Sequence, residues 1–148
     1  MEGAWFQKTG SLVSFSEQQF VDCDFNNKGC GGGYMEGAFD YAKVHAIAQT
    51  RNYPYTGRND ACRHDSVPTL ANVLQYVEVT PRSPSALQLA VKENGPISVY
   101  VTAGQSFTYY SSGIISTRCP AREDHAITIV GYGNDGTREY WIGKNSWG

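Results

Sequence analysis

The chain has no apolar run near the roughly 20 residues needed to cross a bilayer, and no secretory-signal pattern opens it. Its net charge of −2 at pH 7 leaves no basic footprint for nucleic acid or an anionic membrane surface, so neither is expected as a partner. The four cysteines, Cys23, Cys30, Cys62 and Cys119, include no Cys-x-x-Cys pair, which argues against a zinc site. Repeats and low-complexity tracts are also missing. What remains is an ordinary globular composition over 148 residues, enough for one core or two small ones. Ten tyrosines lift the aromatic content to 13%, which suits a β-rich core better than a tyrosine-lined cleft. Each cysteine lies in or beside a turn-rich segment, the usual setting of disulfides in an oxidising compartment.

Helices come first along the chain. Residues 1–9 read as a helix with Met1, Ala4, Trp5 and Lys8 on one face and Gly10 in the C-terminal capping position, but with no capping side chain before it. Ser16 and Gln19 form a capping-box pattern, with Phe15 and Phe20 placed for a hydrophobic staple. A second helix is expected from about Tyr34 to Val44 with Met35, Ala38, Phe39 and Ala42 inward, and a third between Ser83-Pro84 and Gly95-Pro96 with Leu87, Ala90 and Val91 inward. Strand signals then take over, from the alternation of Ile97–Val101 onward. Helices followed by strands argue for an α+β fold with two lobes, 1–70 helical and 71–148 β-rich, the boundary falling between Pro68 and Asn72.

The last 24 residues carry the chemistry. Ile127, Ile129 and Val130 make one apolar arm, Tyr140, Trp141 and Ile142 the other, and Asn134-Asp135-Gly136 between them signals a hairpin turn. With the tip at Asp135, His125 falls directly opposite Asn145, within side-chain reach. An imidazole held by a neutral amide is how a catalytic base is oriented beside a thiol nucleophile.

Asp124-His125-Ala126, Gly131-Tyr132-Gly133, Tyr140-Trp141-Ile142 and Lys144-Asn145-Ser146-Trp147-Gly148 resemble the histidine and asparagine boxes of the papain family of cysteine peptidases. Further matches follow the family's order: Ser16-Glu17-Gln18, Gly29-Cys30-Gly31-Gly32-Gly33, Tyr53-Pro54-Tyr55, Asn94-Gly95-Pro96 and Phe107…Tyr110…Gly113-Ile114. They cover essentially the whole chain and are most similar to the cathepsin L-like branch. The resemblance implies the papain-like two-lobed fold, truncated here at both ends. It also implies a Cys23–Cys62 disulfide. Cys30 and Cys119 would take partners outside the chain, which points to an internal fragment that begins after the catalytic cysteine and ends before the last barrel strands. As given, the chain is expected to be inactive.

In the mechanism so implied, a thiolate at the start of the central helix attacks a peptide carbonyl and His125 protonates the leaving amine. Asn145 holds the histidine tautomer and Trp147 screens that hydrogen bond from water. Gly32 and Gly33 would bond an extended peptide through their backbone. Tyr34, Met35, Ala126 and Tyr100 would line the pocket for the side chain two residues before the cut. A large ring at 100, where the family usually has something small, implies a preference for Val or Leu over Phe. Asp124 joins this substrate-binding set, with a purely local hydrogen-bonding role as its alternative. Gly143 departs from the family, which normally places an aliphatic residue before the lysine, and weakens strand packing there. His45 and His64 match no family site and read as surface residues. No cofactor or metal is implied. Polypeptide substrates, cystatin-like inhibitors and the protein's own propeptide are the implied partners, in a lysosomal, endosomal or secreted location. The competing reading is a non-peptidase relative that acts by binding, with serine in place of the nucleophile or as a truncated pseudoenzyme.

Overall fold

A computed structural model describes residues 1–119 and 122–147; Gly148, the last residue of the asparagine box, lies outside them. The fold is α+β, and the chain divides into two compact units, Met1–Glu78 and Val79–Gly148.

The first unit is built around a helix whose inner face is polar. α1 (Glu2–Thr9) ends as its sequence dictates: Gly10 takes a left-handed conformation at φ 73° and its N–H bonds Phe6 O. No side chain caps its start, and only Met1 and Trp5 of the expected stripe reach the core, while Ala4 and Lys8 are exposed. α2 (Glu17–Cys23) is capped by Ser16, whose hydroxyl accepts from Gln19 N–H. The return bond of the capping box is not made, because the Gln19 amide is spent elsewhere. Its Oε1 accepts from Ala48 N–H at 2.7 Å, and its Nε2 donates to Ala46 O and Tyr41 Oη. Gln18 likewise donates to Asp22 and Arg58 O and accepts from Thr56 N–H. Asp22 accepts from Tyr53 Oη and Asp60 N–H. Full satisfaction lets these three side chains sit beside the apolar core of Phe15, Tyr41, Ala42, Ile47, Ala48 and Tyr53. Phe15 meets Trp5 edge-on and Phe20 meets Tyr41, so each ring of the expected staple has its own aromatic neighbour.

α3 (Met35–Val44) presents Tyr41 and Ala42 to that core. β1 (Ile47–Ala48) then pairs antiparallel with β2 (Thr69–Ala71). The pairing holds Thr69–Ala71 against the first unit. The first compact unit runs on to Glu78. Cys23 and Cys62 form a disulfide across 39 residues of sequence. Closing a loop of that length removes about 4 kcal/mol of unfolded-state entropy in the chain-entropy account.

In the second unit, α4 (Pro84–Asn94) begins with Ser83 Oγ accepting from Ala86 N–H and stops at Gly95. It buries Val91 and half-buries Leu87 and Ala90. β3 (Ile97–Val101) alternates as expected and pairs antiparallel with β4 (His125–Asn134), which pairs in turn with β5 (Glu139–Lys144). α5 (Gln105–Thr108) lies between β3 and β4 in sequence.

The hairpin register differs from the sequence expectation. Asn134 pairs with Glu139 and Gly133 with Tyr140, so the tip is Gly136-Thr137, beyond Asp135. Asp135 instead closes the turn: its N–H bonds Arg138 O, and its Oδ1 accepts from Thr137 N–H, Thr137 Oγ1 and Arg138 N–H. A second shift at Val130 brings Ile129 to Gly143 and Thr128 to Lys144. The ladder ends there, and His125 and Asn145 are not a facing pair.

The turn bonds have a titration consequence. Bonds from the Thr137 hydroxyl, Thr137 N–H and Arg138 N–H hold the Asp135 carboxyl well below the ordinary aspartate range. A depressed folded pKa contributes stability that is complete above the unfolded value of about 3.9 and is lost only as pH falls through the folded value. The turn therefore keeps its bonding in mild acid. A carboxyl NMR titration should place the Asp135 midpoint well below the ordinary aspartate value of about 3.9, and a midpoint at that value would remove this account.

Candidate active site

β3 and β4 fix the position of His125. Its backbone pairs with Val101, and just before it Asp124 N–H bonds Val101 O while Asp124 Oδ1 accepts from Ala103 N–H at 2.8 Å. That carboxylate therefore fastens the exit of β3, the local role left open above.

Asn145 follows the end of β5 and reaches back with its side chain, so that His125 Nε2 and Asn145 Oδ1 lie 2.8 Å apart. The same Oδ1 accepts from Ser146 N–H at 2.8 Å. An atom that accepts from a backbone N–H is the amide oxygen, so the histidine nitrogen facing it must be the donor. Nε2 carries the proton, and Nδ1 is left to exchange one with a reacting group.

Rings enclose the imidazole. Trp147 lies over it with ring centroids 4.8 Å apart and planes 33° from parallel. Phe107 meets both edge-on, at 6.0 Å from His125 and 5.5 Å from Trp147. Phe107 was visible in the sequence only as part of a matching box; its place in α5, remote in sequence from both partners, hid its contact with the histidine.

At Gly143 the Ile127 side chain fills the gap that the missing Cβ leaves. A Cβ there would stand 2.9 Å from Ile127 Cδ1, so the Ile127 side chain occupies the space an aliphatic residue would need. This lets the two arms stay close immediately before Asn145.

The remaining residues form two groups, one in each unit. Tyr100 and Ala126 are a cross-strand pair of β3 and β4, their side chains on one face of the sheet. Gly32, Gly33, Tyr34 and Met35 run consecutively into the start of α3. Asn27 pins this loop by accepting from Tyr34 N–H and donating to Tyr34 O and Asp24. Its amide lies where a Cβ on Gly33 would stand, so residue 33 has to be glycine. A depression of about 190 Å³ bordered by Phe20, Val21, Gly32, Gly33 and Ala38 lies beside the loop. Cys30 and Cys119 are exposed free thiols.

An α+β fold whose sheet delivers an amide-held histidine is the setting of papain-type thiol proteases. Residues 1–148 match the papain family cysteine protease profile throughout, and the chain belongs to that family. It is 44% identical to digestive cysteine proteinase 2 of Homarus americanus over 99% of its length and 41% identical to human cathepsin L2 over all of it. In each case it spans 47% of the relative, so the chain corresponds to about half the length of the proteins it matches. Among solved structures, digestive procathepsin L 3 from the Tenebrio molitor larval midgut superposes with a TM-score of 0.91 at 34% identity, over 99% of this chain and 50% of that one.

Proposed function

We propose that this chain supplies the histidine–asparagine half of a cysteine-type endopeptidase that cuts peptide bonds by a Cys-His-Asn mechanism, its nucleophile lying outside these 148 residues. The observation that carries this reading is the 2.8 Å bond from His125 Nε2 to an Asn145 oxygen already oriented by Ser146 N–H. It fixes the tautomer that leaves Nδ1 for the thiol. In the reaction His125 takes the thiol proton and returns it to the leaving amine, Asn145 steadies the imidazolium, and Trp147 keeps water from one face of the ring.

The substrate is an extended peptide. The Gly33 backbone, exposed and bare of side chain, suits strand-like pairing with it. By the family pattern, Tyr34 and Met35 of the first unit, and Ala126 and Tyr100 of the second, are assigned to the side chain two residues before the cut, with Asp124 beside them at the strand end. Tyr100→Ala in the full-length enzyme should raise activity on Phe relative to Val or Leu at that position; a variant with unchanged preference would remove Tyr100 from the pocket. The digestive and cathepsin names of the relatives, and the disulfide, favour a lysosome-like or secreted compartment. The procathepsin neighbour supports a propeptide as partner, and cystatin-like inhibitors are the further partner the family reading implies.

The test is the sequence of the transcript upstream of the Met1 codon. An in-frame Gln followed by Cys-x-x-Cys-Trp supports the peptidase and gives Cys30 its partner. Serine at the nucleophile position, or a stop codon immediately before Met1, would overturn it in favour of a non-peptidase relative or a truncated product.

A further inference from the structure

His64 does not behave as an ordinary surface residue. It opens the short 3-10 turn His64–Ser66, and its Nδ1 lies 3.1 Å from Cys62 Sγ, one half of the disulfide. On the other side of the ring, Nε2 lies 3.0 Å from Asp65 Oδ1. With the Nε2 proton given to that carboxylate, neutral His64 turns its Nδ1 lone pair toward a sulfur that, in the disulfide, has no hydrogen to offer. A carboxylate holding one imidazole nitrogen while the other faces a soft donor is the arrangement by which proteins orient metal-ligating histidines. The position is firm: His45 packs at 4.8 Å against His64 and stacks at 4.7 Å on Tyr41, a core residue.

The ligand-bearing atoms of Cys23, Cys62 and His64 lie within 4.8 Å of one another, the grouping of metal-binding side chains found among the described residues. Zinc bonds of about 2.3 Å to sulfur and about 2.0–2.1 Å to nitrogen span such a cluster. The disulfide withholds it, since a disulfide sulfur is a poor ligand and the thiolate a strong one. We propose that reductive opening of the Cys23–Cys62 disulfide unmasks a zinc site of two thiolates and one imidazole, Cys23, Cys62 and His64, with Asp65 orienting the imidazole and the fourth position open to water.

The chemistry balances with a small-molecule thiol as reductant. Two such thiols give up two electrons and two protons and leave as their own disulfide. The S–S bond breaks, and each Cys Sγ gains one electron and one proton. Zinc binding then releases both protons to solvent. No Cys-x-x-Cys spacing announces the site, because the fold and not the local sequence brings residues 23, 62 and 64 together.

The test uses the full-length protein, with a Cys23→Ser, Cys62→Ser double variant to subtract any signal from thiols outside the pair, and Co²⁺ and Zn²⁺ as probes. After reduction with a phosphine, one equivalent of Co²⁺ should give a thiolate-to-cobalt charge-transfer band with tetrahedral ligand-field bands. Zn²⁺ should displace it and protect Cys23 and Cys62 from alkylation, as read by peptide mass mapping. His64→Ala should weaken Co²⁺ binding by more than tenfold, and Asp65→Asn by about tenfold, the lower end of what loss of an orienting partner costs. Equal affinity in His64→Ala, equal affinity of the reduced chain in strong denaturant, or the same bands without reduction would each overturn the proposal. The alkylation readout holds even where the reduced chain is partly unfolded, because a thiol pair without the histidine would protect both variants alike.

Discussion

Replacing His125 by alanine in the full-length enzyme should lower kcat/KM by about 10²–10⁴-fold, the usual worth of a positioned general acid–base. The nucleophile would lose its proton acceptor and the leaving amine its donor in one change. Asn145→Ala should cost less. It removes one hydrogen bond to a group that becomes charged, worth about 1.5–3 kcal/mol, or roughly 10–150-fold in rate at 1.36 kcal/mol per decade. The imidazole would still be stacked under Trp147 and edged by Phe107. The sharper readout is the imidazole itself: 15N chemical shifts should show Nε2 protonated in the parent and a mixture of tautomers in Asn145→Ala. An unaltered tautomer would mean that the rings, and not the amide, orient the histidine.

The second large effect is expected in the first unit and concerns stability. Gln19 is fully buried and meets Ala48 N–H, Ala46 O and Tyr41 Oη. Gln19→Ala leaves those groups without a partner at about 1–3 kcal/mol for each one that stays dry, and opens a cavity besides. A loss of about 3–5 kcal/mol is expected, which for a unit of this size lowers Tm by well over ~10 °C. Gln19→Leu separates the two causes. It fills the volume yet satisfies nothing, so its Tm in the full-length protein should fall nearly as far. A Gln19→Leu variant within about 1 kcal/mol of the parent would show that packing, not hydrogen bonding, makes the residue important.

The same residue shows where sequence reading reaches its limit. Ser16 as a helix cap was legible because its partner is three residues away, and α4 was legible from Ser83-Pro84 at one end and Gly95-Pro96 at the other. What Gln19 does was not, since its partners lie 22 to 29 residues downstream and only the fold brings them near. The hairpin was legible as a hairpin but not in register. Asp135 could have been the tip or its closing residue, and nothing local marks the shift at Val130. At the site, residue types and order singled out His125 and Asn145 as candidates, and the structure brings their side chains within 2.8 Å. The tautomer needed the additional bond from Ser146, and the place of Phe107 needed the path of the chain between β3 and β4. His64 lies only two residues from Cys62, yet that spacing alone does not place its Nδ1 against the sulfur; the short turn His64–Ser66 does.

The polar face of α2 also bears on the order in which this protein assembles. The bonds that satisfy Gln18, Gln19 and Asp22 outside their own helix reach residues 22 to 40 positions further along the chain. A seven-residue helix gains little by forming alone. These tethers cannot close until the chain as far as Asp60 is available, so α2 cannot mature ahead of its surroundings as an apolar helix could by simple collapse. On a ribosome adding about 5–20 residues per second, that delay is several seconds during which two amides and a carboxylate stay hydrated. Non-local closure of this kind is slow and cooperative. The unit therefore gains its core and its polar rivets together, late and in one step.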